Sequence, residues 1–312
     1  MTAQRVRLQP LTRARVASLG DAGAAWVAGL PRVLDDLAER WGLTWGRPLP
    51  GGSASYVAGA TTAAGEPRVV KVPVPDADLA DEPRTLRAAA GRGYVRLHDH
   101  DPASRALLLE ALGPSLEQTA WEPERTLAVL ADTLREAWHV PLATAPEVAA
   151  GEDKASTLAR LLVDLDDRLG RPLAPRVRTH ALACAERRAA AHDPERCVVV
   201  HGDPHPANVL RVREERAGAP GGFVLVDPDG FRADPAYDLG VTLREWTGRL
   251  RGPDAPQVLG RYADLLAERT GLDRTAIWEW GFLERVTTGL YVTSFGAAKV
   301  GRTFIESAER LV

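Results

Sequence analysis

Two stretches decide the reading, HGDPHPANVL (201–210) and LVDPDGFRADPAYDLG (225–240). The first follows an apolar run, Cys197-Val198-Val199-Val200, and packs two histidines, an aspartate, an asparagine and two prolines into ten residues. A polar, proline-stiffened loop on the end of a buried strand must lie at a surface and usually has a task there. Asp203 is followed five positions later by Asn208, and nineteen residues further on Asp227 ends the apolar run Phe223–Val226. Strands at Val198–Val200, Val209–Val212 and Phe223–Val226 would bring Asp203, Asn208 and Asp227 to one edge of a small sheet. Asn208 and Asp227 offer hard oxygen ligands suited to Mg²⁺. Asp203, with no metal to hold, can orient a hydroxyl. Metal ligands, a positioned acceptor and a cation clamp are the parts that phosphoryl transfer needs.

The clamp is expected earlier, on a strand. Val69-Val70-Lys71-Val72 supplies a lysine whose stem packs while its ammonium reaches a phosphate. Eleven residues on, Glu82 opens a helical segment, 81–90, and is its expected partner. Pro83 fits only the first turn of a helix, which puts Glu82 at the helix start. Asp78 and Asp81 are the alternative partners. Gly51-Gly52-Ser53-Ala54-Ser55 offers backbone N–H groups to phosphates.

Outward from these motifs, residues 24–41 show apolar spacing of three to four and read as an amphipathic helix adjusted at Pro31. Short strands follow at 43–45, 55–58, 69–72, 94–98 and 106–110. After Gly113-Pro114 the pattern turns helical, at 124–138, 155–169 and 175–191, and again over 236–312. A strand-rich first third and a helix-rich remainder give two lobes, 1–111 and 112–312. The charged, glycine-bearing segment 213–222 is the expected mobile loop.

The chain has 312 residues, 45% of them apolar, and a net charge of −3 from 39 basic and 42 acidic side chains. That balance gives no reason to expect nucleic-acid binding. Two cysteines, Cys184 and Cys197, make neither a disulfide framework nor a thiolate metal site. No signal peptide or membrane-spanning run is visible, so a cytoplasmic protein with no membrane partner is expected. Oligomerisation beyond a monomer or weak dimer is not expected.

These motifs together resemble the protein-kinase-like fold, and more closely the aminoglycoside phosphotransferase family. AWVAGLPRVLDDLAERWGL (25–43), VRLHDHD (95–101) and LLLEAL (107–112) are similar to its streptomycin 6-phosphotransferase and hydroxyurea phosphotransferase branch. The resemblance implies an α+β bilobal fold, with ATP and Mg²⁺ bound between a β-rich N-lobe and a helical C-lobe. It implies Asp203 as catalytic base and Asn208 and Asp227 as metal ligands. Lys71 would contact the α- and β-phosphates with Glu82 as its partner, and Ser53 and Ser55 would lie near the triphosphate. Glu110, Ala111 and Leu112 would form the hinge at adenine. His205 and Asp238 would brace the catalytic loop. Pro204 stands where the family usually has leucine.

The acceptor implied is the hydroxyl of a small cationic molecule, streptomycin at its 6-position or a related aminoglycoside. Hydroxyurea or another metabolite is the alternative. A non-catalytic nucleotide-binding module is the alternative of a different class. Asp229, Glu279 and Glu284 are the candidate acceptor contacts. His98 and His100 have metal-like spacing without a third ligand and read as a strand end and turn. Asp234 before Pro235 reads as a helix N-cap. Trp278 and Trp280 read as core.

Overall fold

The computed structural model describes residues 6–49, 54–76 and 81–312. The chain divides into two compact units, Met1–Gly91 with Val95–Gly113, and Arg92–Tyr94 with Pro114–Val312.

The first unit holds helices α1 (Pro10–Ser18) and α2 (Gly20–Trp41), strands β1 (Leu43–Pro48), β2 (Ser55–Thr62) and β3 (Pro67–Pro73), helix α3 (Glu82–Ala89), and strands β4 (Leu97–Asp101) and β5 (Ala106–Glu110). The five strands form one antiparallel sheet in the order β1-β2-β3-β5-β4. Leu30, Leu34 and Leu37 recur at helical spacing on α2 and pack against Tyr56, Ala58, Val70, Val72 and Leu108 of the sheet. Because side chains alternate across a strand, Val70 and Val72 turn toward this core and Lys71 between them takes the opposite face.

The second unit contains α4 (Pro123–Ala137), α5 (Lys154–Arg168) and α6 (Pro175–Ala190), followed by β6 (Val198–Val200), β7 (Val209–Arg211), β8 (Phe223–Leu225) and β9 (Phe231–Ala233). It closes with α7 (Ala236–Arg244), α8 (Ala255–Thr270), α9 (Arg274–Ser294) and α10 (Ala298–Glu309). Instead of the single small sheet expected, β6 pairs with β9 and β7 pairs with β8, each antiparallel. Tyr94 belongs here rather than to β4: it is buried, bridges Leu225 and stacks on His201 with ring centroids 6.0 Å apart. His98 and His100 both lie within β4.

The segment expected to be mobile is tied down. Gly93 N donates to Gly218 O at 2.7 Å, Arg216 Nη2 to Tyr94 O at 3.0 Å, and Val212 N to Gly222 O at 2.9 Å. Trp280 is buried as expected, whereas Trp278 is half-buried and stacks on Phe282. Among the described residues no helix is long and apolar enough to cross a membrane.

Candidate active site

The loop after β6 is built around a buried aspartate. Asp238, in the first turn of α7, accepts hydrogen bonds from His201 N (2.9 Å), Gly202 N (2.9 Å) and Trp138 Nε1 (2.9 Å). These donors satisfy a carboxyl that is fully buried. Burial nevertheless outweighs them and pushes it up to about 6. His201 is buried too. Its Nε2 meets Val226 O at 2.8 Å and its Nδ1 accepts from Asp203 N at 3.1 Å, which fixes the tautomer with the proton on Nε2. Gly202 takes φ +94°, and a Cβ there would lie 2.5 Å from Asp229 Oδ2. Glycine is required by both the angle and the space.

This scaffold presents Asp203. Its carboxylate is clasped by the Arg244 guanidinium at the end of α7, and its Oδ2 lies 3.5 Å from His205 Nε2. Partial burial opposes the charged form, but Arg244 first and His205 second outweigh it, so the carboxyl is held below the usual range. The Arg244 guanidinium also meets Glu245 (3.2 Å) and Glu284 (3.3 Å), and its own pKa rises because three carboxylates surround it. Sequence reasoning missed Arg244. The signal available was an arginine closing the short, largely buried helix AYDLGVTLR.

Asn208 and Asp227 come from adjacent segments at one end of the β7–β8 hairpin. Val226 N donates to Asn208 O at 2.9 Å, and Asn208 Nδ2 donates to Asp203 O at 3.1 Å, which leaves the amide oxygen to face elsewhere. Asp227 adopts φ +59°, a left-handed turn that redirects the chain straight after β8. Two hard oxygen donors of this kind fit Mg²⁺, and Asn208 and Asp227 are the residues that would hold it. Among the described residues, no group of three or more His, Cys, Asp or Glu is placed to hold a metal alone.

In the first unit, Lys71 Nζ lies 2.7 and 2.8 Å from the two oxygens of Glu82, and both side chains are buried. Pro83 does put Glu82 at the first position of α3, and from that position the carboxylate still reaches the lysine. Asp81 instead pairs with Arg84. Asp78 and the stretch 51–53, Ser53 included, fall outside the described residues. Ser55 opens β2 with its hydroxyl buried and without a hydrogen-bond partner among the described residues. Glu110 ends β5, its N–H donating to Arg96 O and its carboxylate accepting from Arg96 N (3.1 Å). Leu112 is half-buried in the irregular segment that follows.

Two acceptor candidates require correction. Glu279 is buried and ion-paired with Arg187 and with Arg188 (2.6 Å), so it anchors α9 to α6. Glu284 is also buried. It accepts from the Tyr237 hydroxyl at 2.7 Å and braces Arg244, so it acts on Asp203 one residue removed. The third candidate, Asp229, is exposed. Its carboxyl nevertheless lies against Gly202, and lost hydration there, with Asp203 and Asp238 adding to it, raises it above the usual range. Asp234 accepts from Ala236 N (2.9 Å) and Trp280 Nε1 (3.3 Å), a capping role one residue displaced from the expected one.

Residues 40–296 match the model of a family described as aminoglycoside/hydroxyurea antibiotic resistance kinase. A streptomycin 6-kinase of Streptomyces glaucescens is 29% identical over 311 residues, which cover 97% of this chain and 96% of that one. A hydroxyurea phosphotransferase of Kitasatospora aureofaciens is 32% identical over 298 residues, 94% of this chain and 82% of that one. Among solved structures, an ethanolamine kinase of Plasmodium vivax shares the fold with a TM-score of 0.59 at 11% identity, covering 85% of this chain and 82% of the other.

Proposed function

The chain belongs to the aminoglycoside/hydroxyurea antibiotic resistance kinase family and is a phosphotransferase, and from that premise we propose that it transfers the γ-phosphoryl group of ATP to the 6-hydroxyl of streptomycin or a closely related guanidinylated aminoglycoside. The observation that carries this reading is the carboxylate of Asp203, fixed by Arg244 and His205 on a loop pinned by Asp238. Phosphoryl transfer passes through a loose transition state, so the protein's task is positioning and charge compensation. An ionised Asp203 suits that task. It accepts a hydrogen bond from the acceptor hydroxyl, orients the oxygen toward phosphorus and receives the proton as the bond forms.

Mg²⁺ held by Asn208 and Asp227 would offset phosphate charge. Lys71, oriented by Glu82, is the side chain for the α- and β-phosphates, and the backbone of Glu110 to Leu112 is the segment for adenine. Asp229, exposed and close enough to Asp203 to feel its charge, is the carboxylate that attracts a cationic acceptor. The hydroxyurea phosphotransferase relative makes hydroxyurea the second acceptor to test.

The test is ADP release from ATP with and without Mg²⁺, in the presence of streptomycin, other aminoglycosides, hydroxyurea or no acceptor. Wild type is expected to turn over with streptomycin. Asp203→Asn is expected to lose at least ~10²-fold in kcat while binding nucleotide normally. Full activity in Asp203→Asn would refute the mechanism, and turnover confined to hydroxyurea would replace the acceptor.

A further inference from the structure

Helices α7 and α9 run side by side in the same sense. Gly240 abuts Trp280, Gly281 abuts Leu243, and Arg244 meets Glu284. At Arg244 α7 stops, with its guanidinium on Asp203. Helix α9 continues to Ser294, ten residues beyond Glu284 and so about 15 Å further. Glu284, Thr288 and Tyr291 recur at i, i+4 and i+7 on one face of the helix, and Phe295, which caps its C-terminal end, continues the spacing at i+11. Along that stripe burial falls away. Glu284 is buried and Thr288 half-buried, while Tyr291 is 49% and Phe295 72% exposed.

The two rings touch edge to face with centroids 4.7 Å apart. Large aromatic rings normally contribute by being covered. Here two of them support each other in solvent, on the stripe that leads away from the catalytic carboxylate, at about 10 Å and 16 Å from Glu284 along the helix.

We propose that Tyr291 and Phe295 form the acceptor platform of the phosphotransferase site, selecting a multi-ring acceptor that bears guanidinium groups. The inference rests on the kinase reading above. An acceptor whose hydroxyl sits at Asp203 reaches these rings only if it is built of several rings, so a molecule of hydroxyurea's size cannot use them. The chemistry is complementary along its length. Asp203 and Glu245 present carboxylates at one end, and at the other the ring faces attract a guanidinium by cation–π contact and cover sugar C–H surface.

The test compares wild type with Tyr291→Ser/Phe295→Ser. Neither ring is in the core, and an unchanged Tm verifies that the fold is intact. Streptomycin is titrated calorimetrically into each protein, and KM is measured for streptomycin and for hydroxyurea. The expected result is streptomycin affinity weakened about tenfold, with KM rising in step. Constants for ATP and hydroxyurea should stay unchanged, and Tyr291→Phe should behave as wild type. Unchanged streptomycin affinity in the double variant overturns the inference, as does a wild type that does not bind streptomycin. Streptomycin binding that depends on the two rings but leads to no phosphoryl transfer supports the platform and refutes the proposed reaction.

Discussion

Replacing Arg244 with methionine keeps an unbranched apolar stem and removes the charge from among three carboxylates. Asp203 and Glu245 have side chains 41% and 35% exposed and can rehydrate. Glu284, at 6%, cannot. At 3.3 Å and an effective dielectric constant near 20, the Arg244–Glu284 attraction is about 5 kcal/mol before desolvation is subtracted. Breaking one side of a buried pair costs about 3–5 kcal/mol. The Tyr237 hydroxyl remains on Glu284, so the lower end, about 3 kcal/mol, is expected. Removing the stranded charge should recover part of this, making Arg244→Met/Glu284→Gln more stable than Arg244→Met alone by about 1–3 kcal/mol. Urea unfolding followed by tryptophan fluorescence measures all four corners of the cycle. A cost below 1 kcal/mol for Arg244→Met, or a double variant weaker than that single one, would show that Glu284 does not depend on Arg244. The same substitution frees the Asp203 carboxyl to rise, so the acid limb of the kcat/KM profile should move to higher pH.

Three further outcomes are expected. Lys71→Met, which strips the cation from a pair with 5% and 1% exposed side chains, should cost about 3 kcal/mol and raise the KM for ATP; a KM unchanged in a folded variant would remove Lys71 from the nucleotide site. Gly202→Ala forces a left-handed alanine into Asp229 and should cost about 2 kcal/mol and much of kcat, measured by unfolding and turnover together; wild-type stability would contradict the crowding described. The raised carboxyl of Asp238, about 6 against an ordinary 3.8, contributes stability that is fully present below 3.8 and lost as pH rises through 6, about 3 kcal/mol in all. Asp238→Asn should flatten the pH dependence between 4 and 6, and parallel wild-type and variant curves there would exclude Asp238 as its source.

The placement of the loop residues was readable because it is local. Asp203 and Asn208 sit five apart on one turn, and Asp227 ends a strand that pairs back to them. The pairing of Lys71 with Glu82 was readable as far as residue types, but whether a carboxylate at the first helical position could reach the lysine depended on where α3 packs. Helix α1 escaped notice because its apolar residues make no clear stripe. Strand β9 escaped because its three residues, Phe-Arg-Ala, are too few for their alternation to stand out, and without it β6 was wrongly joined to β7 and β8. Glu279 and Glu284 were misread for a different reason. An acid on an apolar helix can face a cleft or a buried arginine, and only packing from α6 and α7 decides between them. Arg244 lies 41 residues from Asp203, and no short spacing announces a contact that two helices create.

Residues 92–94 leave the sheet unit for the helical unit, and the chain then returns. Gly93 supplies an N–H to Gly218 and a carbonyl to Leu225 N, and Tyr94 covers one face of the His201 ring. A fragment beginning at Pro114 would therefore lose a stitch that no later sequence replaces. It would expose the underside of the loop that carries Asp203, at His201, and strand the hairpin's backbone groups. Gene fusions, split-protein pairs and chimeras cut at the apparent boundary should need this three-residue graft, or its equivalent in a circular permutant, before the helical half folds as it does here.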